Sequence, residues 1–164
     1  MSFDSLPIVN QRQVPTEEDW GDWESDDGLD LPYAHKIFAG KTNEEVRSEF
    51  EWAVLERAFE IMSMPCKPFQ YYVFGLRDLV IEKAFNEYEL SDAASVFFST
   101  IESRFERAPE HIVPIFPELL EALNFVAENQ DAYDASVEIY GDFKERLGKI
   151  NQSYLISKER LSTY

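Results

Sequence analysis

Cysteine is almost missing from this chain. Cys66 is the only one among 164 residues, so no internal disulfide can form, and nothing marks the fold for an oxidising compartment. Histidine is nearly as scarce, with only His35 and His111. One Cys and two His cannot assemble a zinc set. Neither histidine has a glutamate three residues before it. Those positions hold Pro32 and Ala108, which excludes the Glu-x-x-His pairs of carboxylate di-metal bundles. No apolar run reaches 18 residues, and the N-terminus Met-Ser-Phe-Asp-Ser-Leu-Pro has neither a basic nor an apolar leader region. The chain therefore reads as a soluble, cytoplasmic protein without membrane contact. Clean two-residue alternation and internal repeats are also lacking, so strands are not expected.

Positive charge is scarce as well: 15 Lys+Arg stand against 32 Asp+Glu, a net −17. Such a surface repels nucleic acid and anionic lipid and attracts basic proteins. The chain is nevertheless 45% hydrophobic, with 13 Phe and 8 Tyr, enough for one domain with a real core.

The least charged stretch organises the rest. Residues 68–81 carry only Arg77 and Asp78. Phe69, Tyr72, Val73, Leu76, Leu79 and Val80 follow helical spacing, and Tyr71, Phe74, Ile81 and Phe85 widen the apolar surface. A helix apolar most of the way round must be enclosed by others. Residues 65–88 are expected as that central helix, with Pro68 in its first turn, where a missing N–H costs nothing.

The surrounding helices follow from caps and breakers. Thr42-Asn-Glu-Glu45 is a capping box, opening a helix to about Ser63 with Val46, Phe50, Ala53, Val54 and Ile61 inward. Ser91-Asp92 caps a helix that Ala108-Pro109 ends. Pro109–Pro117 reads as a packed turn into a helix burying Leu119, Leu120, Leu123, Val126 and Ala127. A last helix starts near Asp131. Its residues Tyr133, Val137, Tyr140, Phe143, Leu147, Ile150 and Tyr154 step by four and three, a coiled-coil-like inner seam. The expected fold is all-α: a single bundle of about five helices over residues 42–157, with an acidic N-terminal arm at 1–41 and a frayed end at 158–164.

The arm holds nine acids and three bases. Pro7, Pro15 and Pro32 interrupt long helix there, leaving an extended or loosely turned segment with one helical turn near Thr16–Trp20. Asp22, Glu24, Asp26 and Asp27 crowd around Trp20 and Trp23. The tryptophans either staple the arm to the domain or anchor a partner.

Chemical motifs fail on inspection. Ala39-Gly40-Lys41-Thr42 lacks the earlier glycine of a phosphate loop, since that place holds His35. Asp22–Tyr33 starts like a calcium loop but has Asp27 where glycine is needed and Tyr33 where glutamate is needed. Cys66 sits at a helix start, where a thiol pKa falls, yet a small buried residue beside Met62 and Met64 accounts for it. No catalytic residue, cofactor or metal is expected.

Charge pattern remains. From Ala108 to Phe143 there is no Lys or Arg. Glu118, Glu121, Glu128, Asp131, Asp134 and Glu138 are expected to form one negative outer surface. The leading expectation is a non-enzymatic module that captures a basic protein. Trp20 and Trp23 would act as anchors and the carboxylates as steering groups. Small acidic helical inhibitors of basic toxins and nucleases, the immunity-protein kind, work this way; the comparison is one of general character and no motif carries it. The alternative is an enzyme or small-molecule binder with an inner pocket lined by Tyr71, Tyr72, Arg77, Asp78 and Tyr88. A nucleic-acid mimic and a homo-oligomeric scaffold are further alternatives. A monomer is the simpler expectation, with the Tyr133–Tyr154 seam as the pairing surface otherwise.

Overall fold

The computed structural model describes residues 12–26 and 28–163. Among them there is no strand. Nine α-helices occur: α1 Asp30–Phe38, α2 Arg47–Trp52, α3 Val54–Met62, α4 Cys66–Glu82, α5 Leu90–Arg107, α6 Pro109–Ile112, α7 Phe116–Glu128, α8 Val137–Tyr140 and α9 Phe143–Ser162. No described helix is long and apolar enough to cross a membrane.

The central helix is α4. Eleven of its residues are buried, including Phe69, Tyr72, Val73, Phe74 and Leu76, and it packs against α2, α3, α5, α6 and α7. Pro65 precedes it in extended geometry, and Lys83 ends it in the left-handed region at φ 54°. It therefore stops at Glu82, short of the expected 88. Gly75 lets α4 approach the loop after α1: a Cβ there would collide with Oδ1 of Asn43. Asn43 in turn donates from Nδ2 to the Tyr71 carbonyl at 3.0 Å, and its backbone N–H donates to Tyr71 Oη at 3.2 Å.

Two expected helices come out divided, and α1 in the expected arm and α6 in the expected turn add two more, which turns about five helices into nine. The Thr42–Glu45 box forms, with both reciprocal bonds at 3.1 Å, but it closes a turn and α2 begins only at Arg47. The helix then breaks at Ala53, φ −153° and ψ 69°. Ala108 has nearly the same geometry, φ −154° and ψ 71°. There Pro109 excludes helical ψ at the preceding residue, whereas no local residue explains the break at Ala53. The expected last helix is also divided. A 3-10 turn at Gln130–Tyr133, left-handed Asp134 and Gly141 at φ 78° separate α8 from α7 and α9. The inner seam consequently fails at Val137, which is 57% exposed. It holds at Tyr133, Phe143, Leu147 and Ile150, all buried. The helix α9 runs on to Ser162, through residues expected to fray.

The segment 12–41 is more ordered than a loose arm. Thr16 and Asp19 form a capping box on the 3-10 turn Glu17–Trp20, the helical turn expected there. Beyond it α1 forms, with Pro32 in its first turn, where no N–H is needed. Ala34 and Phe38 are fully buried, and α1 packs on α3.

Candidate functional site

The two tryptophans expected as anchors turn inward. Trp20 is 1% exposed. It meets the His35 ring edge-on at 5.4 Å and lies tilted against Tyr72 at 6.2 Å. Trp23 is half-buried and stacks on the other side of His35, with ring centroids 3.8 Å apart and planes 13° from parallel. Glu17 closes this clamp. Its carboxylate takes His35 Nε2 at 2.8 and 2.9 Å and the Trp23 indole N–H at 3.0 Å. The His35 bond, then the Trp23 bond, hold the Glu17 carboxyl below the usual carboxylate range. Trp20 thus offers a partner no surface, and both rings serve as staples.

The acids divide into those the chain uses itself and those it leaves in water. Glu118, in the first turn of α7, makes a two-pronged bond with Arg12 at 2.7 and 3.1 Å, so it leaves the partner-facing set. Asp22 and Asp26 are exposed but accept local bonds from Ser25 Oγ and Gly28 N, both at 2.6 Å. Glu24 is exposed beside them. Asp27 lies outside the described residues. Glu121 is half-buried on α7, while Glu128, Asp131, Asp134 and Glu138 are exposed. Among the described residues these last five have no Lys, Arg or His in ion-pair contact.

Four of those five gather at the corner where α7 turns into α8, and hydrogen bonds beneath hold that corner. Gln130 is buried. Its Nε2 donates to the carbonyls of Ala135 at 2.9 Å and Gly141 at 2.8 Å, and its Oε1 accepts from Phe143 N at 2.8 Å. One amide side chain thus ties both ends of the loop. Tyr133 is fully buried and donates from Oη to the Val80 carbonyl at 2.8 Å, fixing the corner to α4. Tyr140 donates to Asp92 at 2.7 Å, tying α8 to α5. Ser136 caps α8 and Asp142 caps α9, so Asp142 is spent on backbone.

Val137 and Ile139 project from this frame, 57% and 77% exposed. The corner therefore carries two exposed aliphatic side chains on a segment whose acids Glu128, Asp131, Asp134 and Glu138 are exposed as well. Beside it lies a surface hollow of about 450 Å³ lined by Glu128, Asp131, Val137, Asp142 and Lys144, among others. Sequence spacing misses this arrangement, because Val137 sits in register with a buried seam. Gly141, which cannot continue a helix cheaply, is the one local signal of it.

The residues expected to line an inner pocket do not converge. Arg77 is buried, but it donates to the neighbouring Asp78 at 2.8 and 2.9 Å and to the Glu118 carbonyl at 3.2 Å. Burial raises the Asp78 carboxyl while Arg77 lowers it. Tyr72 Oη is bonded to the carbonyls of Phe38 and Lys41, and Tyr88 stands in solvent. No group of three or more His, Cys, Asp or Glu among the described residues is placed to hold a metal ion.

Cys66 lies within the field of Arg104. Burial pushes its thiol pKa up, with Arg104 pulling the other way, so the thiol stays protonated and is a poor nucleophile. Arg104 Nη1 bonds to Nδ1 of His111 at 2.9 Å. That nitrogen accepts, so the imidazole is neutral. Burial first, then the Arg104 charge, hold His111 below its ordinary pKa. Unfolded, His111 takes up a proton near pH 6.5; folded, it does so only at lower pH. The unfolded state thus binds more protons just below pH 6.5, and stability falls as pH drops through that window. Denaturant titrations at about pH 7 and about pH 5 should show this. His111→Asn should lose that part of the acid dependence, and an unchanged pH slope would refute it.

The chain matches no family model, no curated protein and no solved structure.

Proposed function

We propose that this protein is a non-enzymatic binding module that captures a basic protein at the α7–α8 corner. The supporting observation is Val137 and Ile139, held out in water by a pinned loop whose exposed acids Glu128, Asp131, Asp134 and Glu138 make no ion pair among the described residues. Exposed aliphatics on a rigid frame supply desolvated contact, and uncompensated carboxylates supply attraction and orientation. The exposed acids Asp22, Glu24 and Asp26 add to the long-range field. Interior chemistry has less support, since Arg77, Tyr71 and Tyr72 are all engaged in holding the fold.

The test compares the wild type with a corner variant, Glu128→Gln, Asp131→Asn, Asp134→Asn and Glu138→Gln. Asparagine tolerates the left-handed backbone at 134. In source lysate the wild type should retain a basic protein that the variant does not. Its association rate should fall about tenfold or more from low to physiological salt. Equal capture by both proteins, or a rate indifferent to salt, would refute the proposal.

A further inference from the structure

The helix α9 has a second face that the bundle does not use. Phe143, Leu147 and Ile150 point inward and are buried. Beyond Ile150 every described residue is half or fully exposed, and Leu155 is 64% exposed. Lys144, Gly148, Asn151, Gln152, Leu155 and Glu159 recur at steps that keep them on one outward side of the helix.

Two features of this stripe have no role within the chain. Gly148 costs about 1 kcal/mol relative to alanine inside a helix. Its backbone is ordinary helix, and a Cβ placed on it would meet nothing within 4 Å, so neither conformation nor packing asks for glycine. Lys144 and Glu159 have no ion partner among the described residues.

Both are accounted for when the stripe is laid antiparallel on itself. Lys144 of one copy then faces Glu159 of the other. Leu155 enters the notch left by Gly148, and Asn151 faces Gln152. Every pair occurs twice about a two-fold axis, the self-complementary pattern of a closed dimer. Charge favours this location as well. The chain is −17 overall, but α9 carries five bases against two acids. An acidic protein meets least self-repulsion where its own bases gather.

We propose that α9 is a self-association helix, through which two copies pair antiparallel along Lys144, Gly148, Leu155 and Glu159. The helix has 20 residues, about 30 Å. A single helix face of that length is a small interface, so dissociation in the micromolar range is expected. The inference is separable from the basic-protein reading, because Leu155→Asp below touches neither Glu128, Asp131, Asp134 and Glu138 nor the hollow beside them.

Sedimentation velocity on the full chain, from low micromolar to millimolar concentration, tests it. The wild type should shift from monomer toward dimer. Leu155→Asp and Lys144→Glu should each weaken pairing about tenfold or more, with helical circular dichroism unchanged. The double charge swap Lys144→Glu with Glu159→Lys should restore it. A concentration-independent monomer, a dimer indifferent to Leu155→Asp, or a double swap no better than the single ones would overturn the proposal.

Discussion

Trp20→Ala should destabilise the protein by about 3–5 kcal/mol, the usual cost of emptying a fully buried aromatic site. In a chain of this size that lowers the melting temperature by roughly 10 °C. Trp20 is the point where the N-terminal segment enters the core. The 3-10 turn Glu17–Trp20 is set by its own capping box, and the indole fills the space between His35 of α1 and Tyr72 of α4. Without the ring the turn loses its apolar contact with α4, and the His35 clamp loses one wall. Trp20→Phe should cost far less. The buried indole N–H has no acceptor, an unmade bond worth about 1–3 kcal/mol, and phenylalanine removes it together with part of the ring. Thermal and denaturant melts decide the matter. If Trp20→Ala leaves stability intact and impairs only partner capture, the ring is an anchor and not a staple.

Arg104→Met should cost about 3 kcal/mol, combining lost charge-assisted bonds with the newly orphaned Met62 carbonyl; that of Ile61 keeps its bond from Met64 N–H. Arg104 is 4% exposed and has no carboxylate partner among the described residues. Burial pushes its pKa down to about 10, so the guanidinium remains charged at neutral pH. Its charge is balanced by the end of α3. Nη2 donates to the carbonyls of Ile61 at 3.1 Å and Met62 at 3.0 Å, at the C-terminal end of the helix, where it presents its negative pole. The plane also lies 4.0 Å over the Phe69 ring of α4, a desolvated cation–π contact. One side chain of α5 therefore closes α3, covers α4 and holds His111. Arg104→Lys should recover little, because an ammonium lacks the fork needed to reach both carbonyls and His111 together. A melt of Arg104→Met within about 1 kcal/mol of wild type would show that α3 needs no such cap.

Helix against strand was legible in the sequence, as was the centre of the fold. A stretch of fourteen residues with only Arg77 and Asp78 charged has no stable place except inside a bundle, and α4 is there. The Thr42–Glu45 capping box was legible too, since it needs only residues three apart; at Thr16–Trp20 the turn was legible but not the box that caps it. The breaks were not. Spacing carried the pattern from Tyr133 through Val137 to Phe143, yet the chain turns because the buried amide of Gln130 bonds to Ala135, Gly141 and Phe143. Periodicity does not count hydrogen bonds, so it placed Val137 inside and gave Ile139 no role.

The sequence by itself settled an all-helical, strongly acidic chain whose most apolar segment is enclosed, because helical periodicity and net charge are sums over neighbouring residues. The tertiary structure decided which acids remain unpaired and which aromatic rings are hidden. Glu118 and Arg12 stand 106 positions apart and meet only after α4 and α7 have packed. An ion pair of that reach depends on where the backbone returns in space, and no local window of sequence contains that information.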